Sequence, residues 1–257
     1  MSNIIPTIAN LTTFLLCGAT LLILQYRQFQ ALTQPGDLEV EVENQRLIQE
    51  ASNLETLRYV PAFGFDALIA DWTLLNFFDY FGDTSLREAT SYSLSPSYFE
   101  VILDRNPYFW EAYFFLSAST TLYAGLPDRT VAILSDRLPH LSPTLPPQAY
   151  RLWRYKATDE LLFLGDAESA KKSYEKGVEW AIKNGSPEAL ASVEAYQDSI
   201  RFLESDPDSI SAQISAWSSI LGNAFDEKTQ QLAIDRIQGL GGNITSNGQG
   251  GYSISVP

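Results

Sequence analysis

Residues 63–83 read FGFDALIADWTLLNFFDYFGD. Asp66 gives an acidic first turn and Gly82 a stop, so the stretch predicts one helix from Asp66 to Tyr80. At 100° per residue, Thr73, Asn76, Asp79 and Asp83 share a polar stripe with Asp66, and Ala67, Leu68, Leu74, Leu75 and Phe78 lie opposite. Asp71 falls within that apolar face. A carboxylate placed there has to be paired or hydrogen-bonded, because burying it alone is costly. The helix is therefore expected in the core of an all-α domain, carrying one polar demand for a later helix to meet.

The later helix that best meets it is predicted from Ala149 to Leu164. Its apolar face is Ala149, Tyr150, Trp153, Ala157, Leu161 and Leu164, with Arg154 at the edge. A guanidinium presents two parallel donors to a carboxylate, so Asp71 and Arg154 are expected as a buried structural pair. Arg151 and Arg87 are rival partners, and local satisfaction of Asp71 is the plainer alternative.

Upstream, the sequence turns apolar. Residues 4–24 (IIPTIANLTTFLLCGATLLIL) contain no charged side chain and approach the ~20 residues of a bilayer span. No basic region precedes the run and no small-residue cleavage pattern follows it, which disfavours a signal peptide. Leu16 before Cys17 disfavours a lipid-modified cysteine. Residues 1–27 are thus expected to be an uncleaved single-span anchor, and 28–40 a polar linker containing Pro35-Gly36. Arg27 slightly favours the following domain on the cytoplasmic side. Cys17 is the single cysteine of the chain, so no disulfide framework exists.

The helical domain is expected over 41–240, with a tail or short β-hairpin at 241–257. From Glu41 the pattern is helical up to Pro61, with Leu47, Ile48, Ala51, Leu54 and the Arg58 stem on one face. Further helices are expected at Pro96–Arg105, Tyr108–Ala124, Pro127–Leu138, from the Asp166 cap to Lys183, at Pro187–Glu204, at Pro207–Gly222 and at Asp226–Gln238. Beyond these, Asn247-Gly248 is a turn signal and Tyr252, Ile254 and Val256 alternate with serines, the pattern of a hairpin. The glycines around it follow a helix and precede none, which excludes a dinucleotide loop.

Proline-bounded helix pairs of this length have the period of a helical repeat. Gly165-Asp166, Ala170, Tyr174 and Gly177 resemble the second half of a tetratricopeptide repeat. Tyr113, Leu116, Gly125 and Pro143 match more loosely, and Ser117 and Val131 depart from the family pattern. Over about residues 96–222, and with the anchor in front, the chain resembles membrane-anchored tetratricopeptide-repeat proteins of cyanobacteria. The resemblance implies a right-handed solenoid of helix pairs. It further implies interaction work at a membrane complex, such as assembly or stabilisation of photosynthetic machinery.

Composition bounds the function. With 31 acidic residues against 17 basic ones, the net charge is −14, which disfavours nucleic acid and anionic lipid surfaces as partners. His140 is the sole histidine. One histidine and one cysteine within the apolar run cannot build a zinc site of the usual kind, and no nucleophile-elbow, metalloprotease or phosphate-loop motif occurs. No catalytic residue, metal or cofactor is expected. Asp159 and Glu160 could join Asp71 as an acid–base set, but Lys156–Glu160 reads as an ordinary i,i+4 pair and Asp159 as facing the polar side.

The expected role is a non-enzymatic, membrane-anchored adaptor for a protein partner. Among the dense aromatics, Tyr108, Trp110 and Phe114 are the candidate contact residues. A permanent accessory subunit of a membrane complex is the first rival reading. An enzyme acting on lipid-linked or sugar substrates is the second.

Overall fold

A computed structural model describes residues 39–83, 91–205, 209–224, 226–246 and 252–256. The chain divides into two compact units, Met1–Glu43 and Asn44–Pro257, and the contacts below belong to the second. The apolar run at 4–24 and the linker up to residue 38 lie outside the described residues. Among the described residues, no helix is long and apolar enough to cross a membrane.

The fold is all-α, with ten α-helices among the described residues. They are α1 (Glu39–Tyr59), α2 (Asp66–Gly82), α3 (Ser95–Arg105), α4 (Trp110–Leu116), α5 (Pro127–Arg137), α6 (Tyr150–Leu162), α7 (Ala167–Asn184), α8 (Pro187–Glu204), α9 (Ile210–Asn223) and α10 (Glu227–Gly239). The local sequence accounts for their ends. Proline occupies the first turn of α3, α5 and α8, where its missing N–H costs nothing. The Asp166 carboxylate accepts from the Ser169 N–H at 2.9 Å, and Asp226 from Thr229 at 2.8 Å, each satisfying an orphan donor. Gly185 stops α7 at φ +72°, in the left-handed region where a side chain would be strained.

The single helix expected over Tyr108–Ala124 is two segments. It opens at Trp110 and turns π-helical over Ser117–Tyr123. The Ala124 N–H reaches back five residues to the Ser119 carbonyl, and the Leu126 N–H bonds Thr120. Small and β-branched residues of the run SASTT hold the α-helical spacing weakly. At the other end of the chain, β1 (Asn243–Ser246) and β2 (Tyr252–Ser255) form the expected hairpin, with Ile244 opposite Ile254. Both isoleucines pack on the α9–α10 core. The turn residues Asn247-Gly248 lie outside the described residues.

The largest core cluster runs from Leu54 through α2–α6 to Trp180 and Tyr196. Phe77 is its hub: its ring lies 4.7 Å from Phe99 and 5.6 Å from Tyr98, both edge-on. A second cluster joins Phe163 to Trp217, Ile220 and Ile237. The order of helices departs from a simple stack. Helix α8 lies on α7, but α9 turns back onto the π-helical segment and α6, besides its partner α10. The helices expected at Pro187–Glu204 and Pro207–Gly222, adjacent in sequence, are therefore not each other's main contact.

Helix α2 is rotated relative to expectation. Its buried residues are Ala70, Thr73, Leu74, Phe77 and Tyr80, whereas Ala67, Leu68, Asp71, Leu75 and Phe78 of the expected core face are exposed. Thr73 explains the phase. Its hydroxyl donates to the Ile69 carbonyl at 2.7 Å, so a residue that reads as polar enters the core with its hydrogen bond already made.

Candidate docking surface

Turning the expected apolar face of α2 outward leaves an apolar stripe in water. Leu68, Trp72 and Leu75 are 58–63% exposed, and Phe78 is 39% exposed. These follow helical spacing, so they line one side of α2 from its first turn to its last. The turn before α2 extends the stripe: Phe63 is 89% exposed and Phe65 64%. Phe63 adopts φ +49°, a left-handed conformation that a bulky side chain rarely takes, and Gly64 follows at φ +91°.

That strained turn is held by Arg105. Its guanidinium donates to the Leu57 carbonyl at 2.6 and 3.0 Å and to the Val60 carbonyl at 2.6 Å, and it pairs with Asp66 at 2.9 Å. One nearly buried fork thereby ties the end of α1, the turn and the start of α2 to α3. Arg58 is similarly engaged, bridging Glu100 at 2.8 Å and Asp104 at 2.9 Å. At its other end the α2 stripe meets α4, where the Phe78 ring lies 5.0 Å from Phe115 and Phe115 lies 5.7 Å from Phe114.

Two of the three aromatic contact residues expected from the sequence are exposed, Tyr108 and Phe114. Trp110 is half-buried, its indole stacked on Tyr155 at 6.3 Å. The exposed residues of α2 and its preceding turn were not in that set. Their signal is in the sequence, since α2 carries apolar residues on two sides, but the phase of the helix hides which of them faces water.

The Asp71–Arg154 pair does not form. Both residues are exposed, and among the described residues no ion pair joins them. Arg154 instead lies over the Tyr155 ring at 5.5 Å. With α2 rotated, Asp71 is solvated and makes no demand on a partner helix.

The charge that is buried lies elsewhere, and the expectation that Asp159 faces the polar side is overturned. Asp159 and Glu160 are both buried. The Thr121 hydroxyl lies within hydrogen-bond distance of two acceptors, the Thr130 hydroxyl at 2.9 Å and the Asp159 carboxylate at 3.1 Å, and Ser117 donates to Asp159 at 3.4 Å. Ser117 and Thr121, four residues apart, lie on one side of the π-helical segment. Burial pushes the Asp159 carboxyl up to about 7, against the opposing pull of the two hydroxyls. Glu160 accepts from Lys156, four residues before it, and from the Ser173 hydroxyl at 2.6 Å. The i,i+4 pair is thus present but buried, and it links α6 to α7.

His140 is exposed at the end of a short 3-10 turn. Among the described residues, no group of three or more His, Cys, Asp or Glu side chains is placed to hold a metal ion. Compared with known proteins, the chain matches no family model, no curated protein and no solved structure.

Proposed function

We propose that this chain is a membrane-anchored, non-enzymatic docking module, with the α2 stripe and the adjoining α4 aromatics as the surface that receives a protein partner. The observation carrying this reading is the contiguous exposed set Phe63, Phe65, Leu68, Trp72, Leu75, Phe78 and Phe114. Apolar surface of this extent is retained where something covers it, and aromatic side chains dominate the energetics of such contacts. The apolar run at 4–24 supplies the anchor, which raises the local concentration of membrane-resident partners. In the tetratricopeptide-like reading, α6 and α7 form one repeat pair closed by α8, and the module assists assembly or stabilisation of a membrane complex.

The test is affinity capture from native membranes with the full chain, comparing the native sequence with the double variant Leu68→Ser/Leu75→Ser, both checked for helicity. The expected result is a specific partner held by the native chain and lost by the variant. Equal capture by both would refute the surface assignment. The apolar character of the stripe also supports a permanent accessory subunit, since obligate interfaces are the more apolar class. Replacing residues 4–24 by an unrelated apolar span separates the two: a transient adaptor keeps its partner and a subunit loses it.

A further inference from the structure

The charge around the docking stripe points to the chemistry of what covers it. Residues 59–83 and 106–126 contain no lysine or arginine, and their charged residues are Asp66, Asp71, Asp79, Asp83 and Glu111. Asp66 is taken by Arg105 at 2.9 Å. Asp71, Asp79 and Glu111 are exposed, and among the described residues none of them forms an ion pair. At 100° per residue, Asp71 falls between Leu75 and Phe78, and Asp79 between Trp72 and Leu75. Asp71 is thus set into the apolar stripe, and Asp79 stands at its border. Asp79 also lines a surface pocket of about 420 Å³ with Arg46, Glu50, Asn76 and Asp83. Arg105, at the start of the stripe, is spent on Asp66 and the Leu57 and Val60 carbonyls, and Arg46 is the basic residue lining the Asp79 pocket.

Resting on the docking reading above, we infer that the occupant of this face is a basic amphipathic helix of a partner protein. Such a helix packs its apolar side on Leu68, Trp72, Leu75 and Phe78 and sets lysines or arginines against Asp71, Asp79 and Glu111. The stripe from Leu68 to Phe78 is about 15 Å long at 1.5 Å per residue, which matches three turns of a helix bearing apolar residues at i, i+3/i+4 and i+7. An anionic bilayer is repelled by the same carboxylates. A second copy of this chain would bring acid against acid, which is unfavourable across an interface.

The test uses the full chain in nanodiscs of phosphatidylcholine, with fluorescein-labelled 18-residue amphipathic peptides of leucine and lysine or of leucine and glutamate. Fluorescence anisotropy is expected to show the lysine peptide binding at least tenfold more tightly than the glutamate peptide. Leu68→Ser/Leu75→Ser should weaken it at least tenfold. Asp71→Asn/Asp79→Asn/Glu111→Gln should flatten its salt dependence, whereas Glu188→Gln/Glu194→Gln on α8 should leave both unchanged. The inference is overturned by equal binding of the two peptides or by an equal effect of the α8 control. It is also overturned if brominated lipid quenches the emission lost in Trp72→Phe, which assigns the face to lipid. A dimer that Leu68→Ser/Leu75→Ser abolishes assigns it to a second copy and likewise overturns it. If membrane capture depends on Leu68 and Leu75 while the peptides are not distinguished, the docking reading stands and the basic partner falls. If neither effect occurs, both fall.

Discussion

Asp159 couples the π-helical turn to α6 through a single carboxylate, and its protonation should be visible in stability. Its carboxyl titrates near 7 in the folded chain, raised by burial, against about 3.9 when unfolded. A raised carboxyl holds its proton more tightly in the folded state. Its contribution is therefore fully present below pH ~4 and is lost as pH rises through 7, on the order of 4 kcal/mol in all. Other carboxylates act in the opposite sense, so the useful quantity is the difference between the native chain and Asp159→Asn. Chemical denaturation from pH 4 to 8 should show the variant gaining relative stability across that window. A constant difference would place Asp159 in contact with water. Phe63 is a second residue-scale case. Its left-handed backbone costs roughly 1 kcal/mol, and its ring is almost wholly in solvent. Phe63→Asn should raise the melting temperature slightly while weakening partner capture. A variant that loses stability would show that the ring packs.

At the scale of elements, α2 shows why part of the fold was legible and part was not. Its limits were readable, since Asp66 and Gly82 mark them in the sequence. Its phase was not, because Ala70, Leu74, Phe77 and Tyr80 form one apolar stripe and Leu68, Trp72, Leu75 and Phe78 form another on the opposite side. Periodicity cannot choose between two such stripes. The choice was made by Thr73 bonding Ile69 and by the aromatic ring of α3, neither of which a helical wheel contains. The same rotation dissolved the Asp71–Arg154 pair. It also extended the candidate surface from Tyr108, Trp110 and Phe114, at the start of α4 and on it, to α2. Caps and stops were more legible because they are local: Asp166, Asp226 and Gly185 act within a few residues of where they stand. The π-helical turn had no such marker, and with it the burial of Asp159 was out of sight.

Two further outcomes belong at this scale. Arg105 is the joint between α1, the Phe63 turn and α3, so Arg105→Met should cost about 2–3 kcal/mol, the expense of leaving two carbonyls and a carboxylate without their charged donor. Denaturant unfolding checks it, and a change under about 0.5 kcal/mol would show that solvent replaces the fork. Gly177 marks where α7 passes beneath α8: a Cβ there would stand 3.1 Å from the Tyr196 ring and 3.5 Å from Trp153. Helix propensity favours alanine by roughly 1 kcal/mol, but the wedged ring should make Gly177→Ala a net loss of about 1 kcal/mol. A more stable variant would mean that the helices separate freely.

In the whole molecule, labour is divided between a helical scaffold and one outward stripe. The scaffold buries its aromatics around Phe77 and Trp217, and α9 folds back onto the π-helical segment. The stripe on α2 stays largely in water, touching the scaffold's aromatics through Phe78. In the proposed function, another protein covers it. Site-specific photo-crosslinking in living cells tests this most directly, with a photoreactive residue in place of Leu75 and, as the control, in place of Glu194 on α8. The account predicts a discrete protein adduct from position 75 and none from position 194. Adducts only to lipid from position 75, or the same protein captured from both positions, would contradict it.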